Sequence, residues 1–145
     1  MTFPRPVAGL VIRYAYLWRA EWLMGREEGV KDRPCTVILS VQGEDGEEVV
    51  TVLPITHSPP ADPALALEIP PATKARLGLD GERSWIVLTE ANRFVWPGPD
   101  LRPSIAGDPQ SVVYGLLPRA FYERLRARFI AVLKAGQARL ADRGG

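Results

Sequence analysis

Two apolar segments separated by an Asp-Gly turn constrain this chain more than any other feature. Cys35 to Val41 and Glu48 to Ile55 are rich in β-branched residues, and Asp45-Gly46 lies between them. This pattern predicts a β-hairpin, because glycine readily adopts the positive φ that tight hairpin turns need. The run of prolines that begins at Pro59 cannot continue a strand, because proline has no amide hydrogen to donate. The second strand must therefore end at about His57.

The remaining patterns predict short strands, small helical turns and one long helix. Further strands are expected at Ala8–Tyr16, Leu65–Ile69, Ser84–Thr89 and Glu90–Trp96. A helical turn is expected at Trp18–Met24 and a short helix at Pro71–Leu77. The long helix is expected over Pro118–Arg143, with Phe121, Leu125, Phe129 and Val132 on its apolar face. A Pro- and Gly-rich connector at Pro97–Pro109 precedes it.

These elements predict a mainly β protein of the α+β class. We expect a small, strongly bent antiparallel sheet or barrel with a C-terminal amphipathic helix packed on it. The 145 residues fit a single domain. Within it, residues 1–96 are expected to form the barrel, and residues 97–145 the connector and the helix that packs on the same domain.

Composition excludes several classes of protein. Cys35 and His57 are the sole cysteine and histidine, so no zinc site can be built from those residue types alone. No signal peptide is evident, and no segment approaches the roughly 20 apolar residues of a membrane span. We therefore expect a cytoplasmic protein without metal or cofactor. A net charge of +1 argues against strong nonspecific nucleic-acid binding, but not against a few locally placed cations.

An arginine-proline step opens the first strand of the hairpin. Pro34 favours an extended conformation at Arg33, and the preceding loop carries Glu28. A guanidinium can donate two hydrogen bonds to a phosphodiester and stays charged at any working pH. Asp32 stands directly beside Arg33, where an ion pair would compete with a phosphate. The alternative is a charge cluster that merely solvates a loop.

Thr56 lies at the end of the second hairpin strand, followed by His57 and Ser58. A threonine hydroxyl there can donate to a phosphate or stabilise charge that develops on phosphorus. The alternative for Thr56 is an ordinary β-forming residue at a sheet edge. Since neighbouring strand residues face opposite sides, His57 shares a site with Thr56 only if the strand has already ended. As the sole histidine, His57 is a candidate general acid or base by residue type, but we expect it and Ser58 to contact substrate or to support the site from behind. The alternative for His57 is a solvent-facing histidine.

Aromatic side chains offer stacking surfaces for unpaired bases. Trp18 and Trp22 lie in a polar segment and are the best candidates for substrate contact, whereas Trp85 fits the core. The alternatives for Trp18 and Trp22 are a plug at the barrel mouth or a partner-binding surface.

Over about Ala8 to Val95 the chain resembles the PemK/MazF family of toxin endoribonucleases. The resemblance rests on Lys31-Asp32-Arg33-Pro34 at a strand entrance, followed one hairpin later by Leu53-Pro54-Ile55-Thr56. It implies an SH3-like barrel that forms a homodimer, cuts single-stranded RNA without metal and is inhibited by a cognate antitoxin protein. Arg33, Thr56 and Glu28 then fall on the catalytic positions.

The reaction implied by this resemblance is attack of a ribose 2′-hydroxyl on the adjacent phosphate, which gives a 2′,3′-cyclic phosphate. Arg33 would neutralise the phosphorane, Thr56 would orient the phosphate, and Glu28 would accept a proton or hold Arg33. Arg33 itself is a poor general base, because a guanidinium stays protonated at any working pH. Two rivals are a catalytically inactive module of the same fold whose groove holds a protein or RNA, and an adaptor that binds partners through its terminal helix.

Overall fold

The computed structural model describes residues 2–25 and 31–143. It contains eight strands, three α-helices and two short 3-10 helices, at Pro63–Leu65 and Pro109–Val112. The strands are β1 (Leu10–Tyr14), β2 (Arg33–Gln42), β3 (Glu48–Thr56), β4 (Ala66–Glu68), β5 (Trp85–Val87), β6 (Glu90–Val95), β7 (Val113–Leu116) and β8 (Arg139–Arg143). The helices are α1 (Arg19–Leu23), α2 (Pro71–Arg76) and α3 (Arg119–Lys134). No described helix is long and apolar enough to cross a membrane.

The predicted hairpin forms the centre of the sheet. β2 and β3 pair antiparallel, with Gln42 opposite Glu48 next to the turn, and Gly46 has a φ of 81°. That left-handed conformation explains why glycine follows Asp45 in the turn. β3 ends at Thr56, three residues before the first proline of the Pro-rich segment. The strand boundaries predicted for this hairpin are confirmed to within two residues.

The α+β class is confirmed, but the prediction of a closed barrel is wrong. The strand order runs β4-β5-β3-β2-β1-β7, while β6 pairs with β3 and with β8. β7 occupies the outer edge of β1, and β8 pairs in parallel with β6 on the edge away from β3. Because β7 pairs with neither β8 nor β4, the sheet formed by the described residues stays open.

Both faces of the central strands are buried. Side chains alternate along β3, so that Val50 and Val52 lie in one apolar cluster while Leu53 and Ile55 lie in the other. The first cluster also holds Tyr14 and Tyr16 together with residues of β1, β2 and β6. The second is covered by α3 through Phe121, Leu125, Phe129 and Val132, the apolar face predicted from the sequence.

The long helix is shorter than its sequence pattern predicts. α3 ends at Lys134, and Gly136 follows with a φ of 71°. The amide of Gly136 donates to the carbonyl of Leu133, and that of Gln137 donates to Val132. These two hydrogen bonds terminate the helix, and the chain changes direction after Gly136. Leu140 consequently lies in β8, and its assignment to the helix is wrong.

Candidate active site

The register of the central hairpin places Arg33 and Thr56 across from one another. Arg33 is the first residue of β2 and Thr56 is the last residue of β3. Cys35 pairs with Pro54, and the same antiparallel register continued by two residues sets Arg33 opposite Thr56. Side chains at opposed positions lie on the same side of a sheet. Two residues far apart in sequence are therefore neighbours at one end of the hairpin.

Both residues line an open cavity of about 550 Å³, which we call the Arg33 cavity. Its lining residues are Trp18, Lys31, Arg33, Thr56, His57, Ser58 and Val87. Five residues singled out from the sequence thus border one space. Lys31 and Val87 were not anticipated. The sequence could have indicated Lys31. Residues two apart in an extended segment face the same side, so Lys31 is expected on the same side as Arg33.

The guanidinium of Arg33 is held by an aromatic ring. Its Cζ lies 4.8 Å from the centroid of the Trp18 ring. The Trp18 ring in turn meets Tyr16 edge-on, with centroids 5.1 Å apart, and Tyr16 is buried. Trp18 is the N-cap residue of α1, and the Glu21 carboxylate accepts a hydrogen bond from its backbone amide at 3.1 Å. The ring is therefore a fixed platform for Arg33.

Arg33 has unused hydrogen-bonding capacity. Its Nε is buried and has no hydrogen-bond partner among the described residues. Buried donors are usually paired, and no described residue supplies an acceptor for this one.

Asp32 does not pair with Arg33. Its carboxylate lies 3.6 Å from the Arg13 guanidinium and 3.5 Å from that of Arg102. The carboxylate of Asp32 thus forms ion pairs with Arg13 and Arg102 and not with Arg33. The expected competition between Asp32 and a phosphate is therefore absent from this arrangement, and Lys31 and Arg33 give the cavity a local positive charge.

Thr56 and His57 share the cavity because β3 ends between them. Thr56 is half-buried, and its Oγ1 accepts a hydrogen bond from the Ser58 amide at 3.2 Å. This turn redirects the chain, so that His57 and Ser58 face the same space as Thr56. His57 was expected to join the site only if the strand ended before it, and β3 does end at Thr56.

His57 is anchored by an acid that lies 23 residues away in the sequence. Its Nε2 is 2.8 Å from Oδ2 of Asp80 and 3.8 Å from Oε2 of Glu82. Asp80 is itself held by Lys74, whose Nζ donates to Oδ1 at 2.7 Å. That hydrogen bond is the main reason that the pKa of the Asp80 carboxyl lies below its usual value. Sequence reasoning missed Asp80, since no local pattern links it to His57.

Lys74 is an unusual residue for the interior, with 4% of its surface exposed. Its ammonium donates to Asp80, to the Glu82 carbonyl and to the Ser84 hydroxyl. Three acceptors match the three hydrogens of an ammonium, which is the condition for burying such a group. Lys74 thereby fixes the loop that presents Asp80.

His57, Asp80 and Glu82 have ligand atoms within 4.8 Å of one another, and all three side chains are exposed. These are residue types that also bind divalent cations. Here one carboxylate oxygen of Asp80 is occupied by the Lys74 ammonium, and the other contacts His57. We assign no metal to this cluster.

The other predicted site residues lie elsewhere. Trp22 does not border the Arg33 cavity; it lines a small crevice with Leu140 and Ala141 of β8. Glu28 lies outside the described residues.

A second concave surface lies between α3 and the sheet, and we call it the α3 groove. It encloses about 300 Å³ and is mainly apolar. Leu39, Leu133 and Leu140 line it and are each about half exposed. Arg93, Arg126 and Arg139 also line it, and no described lining residue is acidic.

Comparison with known proteins adds no family assignment. No protein-family model matches the sequence, and no curated protein matches it significantly. The PemK/MazF resemblance therefore stays a prediction that rests on the two motifs.

Proposed function

We propose that the protein is an endoribonuclease that cleaves single-stranded RNA by attack of the 2′-hydroxyl on the adjacent phosphate, without metal. The observation that carries this proposal is the meeting of Arg33 and Thr56 in one cavity, with the Arg33 Nε unpaired among the described residues. The strand register supports the proposal, because after its one-residue shift between Val37 and Leu39 it continues to Arg33 opposite Thr56.

The chemistry of the cavity suits a phosphodiester. Lys31 and Arg33 attract the phosphate, and the planar guanidinium can donate two hydrogen bonds to its oxygens. Thr56 Oγ1 accepts from the Ser58 amide, and its own hydrogen is left to donate to a phosphate oxygen. As the phosphorane forms, the negative charge on these oxygens grows, so both contacts strengthen in the transition state.

The direct test is incubation of the purified protein with single-stranded RNA in EDTA. Products should carry 2′,3′-cyclic phosphate and 5′-hydroxyl ends, and RNA with a 2′-deoxy sugar at the cleavage site should stay intact. Arg33→Ala and Thr56→Ala should each lower the rate by about 10²–10³-fold. Arg119→Ala is a matched control, because Arg119 is exposed on α3 and pairs only with Glu123 among the described residues. Intact RNA across varied sequences would refute the proposal.

The proposal extends to partners that the resemblance implies. We propose a cytoplasmic homodimer inhibited by a cognate antitoxin protein. Light scattering on the purified protein tests the dimer. Co-expression with the product of an adjacent short reading frame tests the inhibitor, which should suppress RNA cleavage and any toxicity together.

A second candidate function is a binding module that acts through α3. The α3 groove favours it, because exposed leucines there adjoin Arg126 and Arg139, whereas the third arginine of the lining, Arg93, is paired with Asp142. Such a surface fits an acidic amphipathic segment of another protein. A labelled acidic amphipathic peptide should bind in a salt-sensitive way, a basic peptide of the same apolar pattern should not, and Leu133→Glu should abolish binding.

A further inference from the structure

The proposed reaction needs a group to remove the proton from the 2′-hydroxyl, and the two residues that carry the resemblance do not supply one. Arg33 stays protonated at any working pH, and a threonine hydroxyl is not a base. Among the residues that line the Arg33 cavity, His57 is the one whose ordinary pKa lies near neutrality.

The contacts of His57 decide which of its nitrogens is basic. Nε2 lies 2.8 Å from Oδ2 of Asp80. An ionised carboxylate can only accept a hydrogen bond, so Nε2 carries the hydrogen and the lone pair falls on Nδ1. No described residue hydrogen-bonds Nδ1. A neutral imidazole in this tautomer is ready to accept a proton.

Asp80 is fixed in the orientation that this role requires. Its Oδ1 accepts from the Lys74 ammonium at 2.7 Å and from the Glu82 amide at 3.1 Å. Its Oδ2 is left for His57. A base held by an oriented acid, which is held in turn by a buried cation, is a recurrent arrangement for proton transfer.

We infer that His57 is the general base of this site and that Asp80 is its positioning residue. This inference rests on the proposed function. His57 Nδ1 takes the proton as the 2′-O–H bond breaks, and the 2′-oxygen forms its bond to phosphorus. The bond from phosphorus to the 5′-oxygen breaks, and the 5′-oxygen leaves with the electron pair and takes a proton from solvent. The imidazolium then returns its proton to solvent, so that atoms and charge balance.

Several charged groups surround the histidine. Asp80 and Glu82 face its Nε2, and Lys74 acts on Asp80 from the interior. Lys31 and Arg33 border the same cavity from the other side.

The test is the single-turnover rate of RNA cleavage between pH 5 and pH 9. The wild-type rate should rise as one group loses its proton. His57→Gln should lower the rate at pH 7.5 by about 10²-fold and abolish this pH step. Asp80→Asn should lower the rate by about 10-fold and move the step to lower pH. Glu44→Gln, in the exposed hairpin turn, is the control and should match wild type.

Two further measurements separate a base from a structural residue. Added imidazole should restore part of the activity of His57→Ala, because free imidazole can replace a missing base in the vacated space. A substrate with sulfur in place of the 5′-oxygen needs no protonation of its leaving group, so His57→Gln should remain impaired on it. Full activity of the variant on that substrate would make His57 a general acid and overturn the inference.

Different results would overturn the role of His57 and the ribonuclease function. If wild type cleaves RNA and His57→Gln keeps the same rate and pH profile, His57 is not the base although the ribonuclease function stands. An impaired variant with an unchanged pH step and no imidazole rescue also overturns the inference. If wild type does not cleave RNA while circular dichroism shows a folded protein, the function fails and the inference falls with it.

Discussion

Arg33 lies over the ring of Trp18, with its Cζ 4.8 Å from the ring centroid, and its Nε is buried with no described hydrogen-bond partner. The contact holds a cation at the cavity while leaving a donor unused. A cation–π contact of this kind contributes about 0.5–2 kcal/mol. It can therefore restrict the guanidinium without competing for the hydrogen bonds that a phosphate would accept.

Replacement of Trp18 should affect activity through Arg33. Trp18→Ala removes the platform, and we expect the rate of RNA cleavage to fall by about 10-fold, consistent with the loss of about 1–2 kcal/mol. Trp18→Phe keeps an aromatic face and should retain most of the activity. Kinetics on a single RNA substrate measure both variants. Equal activities of the alanine and phenylalanine variants would contradict this role.

Thr36 offers a prediction about stability that is independent of function. It is completely buried in β2, and its Oγ1 has no described hydrogen-bond partner. Burying an unpaired hydroxyl costs free energy, so Thr36→Val, which keeps the shape, should raise the free energy of unfolding by about 1 kcal/mol. Thr36→Ser should instead lower it by about 1 kcal/mol, because a buried methyl group is lost. Urea denaturation measures both changes, and a less stable valine variant would show that the hydroxyl is satisfied.

Arg143 and Asp100 form a buried ion pair that ties β8 to the Pro- and Gly-rich connector, with Arg143 Nη2 3.0 Å from Asp100 Oδ2. Nη1 also donates to the Ala15 carbonyl at 2.8 Å and to the Tyr14 hydroxyl at 3.1 Å. Arg143→Met leaves the Asp100 charge buried and should lower the free energy of unfolding by about 3–5 kcal/mol.

Two further variants test the cause of that loss. The double variant Arg143→Met, Asp100→Asn also removes the unpaired carboxylate of Asp100. It should recover part of the free energy of unfolding, as measured by urea denaturation. Arg93→Met is the matched control on the neighbouring strand, because the Arg93–Asp142 pair is exposed; it should cost at most about 1 kcal/mol. Equal losses for Arg143→Met and Arg93→Met would show that burial does not set the cost.

The Asp80 contacts predict a contribution to stability that depends on pH. The hydrogen bond from Lys74 lowers the pKa of the Asp80 carboxyl from its ordinary value of 3.8. A carboxyl with a depressed pKa in the folded state stabilises the protein fully above the unfolded value and loses that contribution as pH falls through the folded value. Asp80→Asn should thus be less stable than wild type at pH 7, and the difference should shrink below about pH 4.

Chemical denaturation at a series of pH values measures this difference. Glu44→Gln, which removes an exposed carboxylate from the hairpin turn, should differ little from wild type throughout the series. A gap between Asp80→Asn and wild type that stays constant down to pH 2.5 would contradict the coupling between Asp80 and Lys74.

The sequence by itself determined the hairpin, the end of β3 and the buried face of α3. Each depends on local chemistry. Gly46 supplies the positive φ of the turn, the prolines after His57 end the ladder, and the spacing of Phe121, Leu125, Phe129 and Val132 defines the helix face. The turn alone does not set Arg33 opposite Thr56, because the register of the hairpin shifts by one residue between Val37 and Leu39.

Only the tertiary structure decided whether the sheet closes and what holds the candidate base. β7 and β8 occupy the edges of β1 and β6 through hydrogen bonds between segments that are distant in sequence. Asp80 reaches His57 because the buried Lys74 fixes its loop. These contacts depend on which surfaces remain available once the core has packed, and no local pattern encodes that availability.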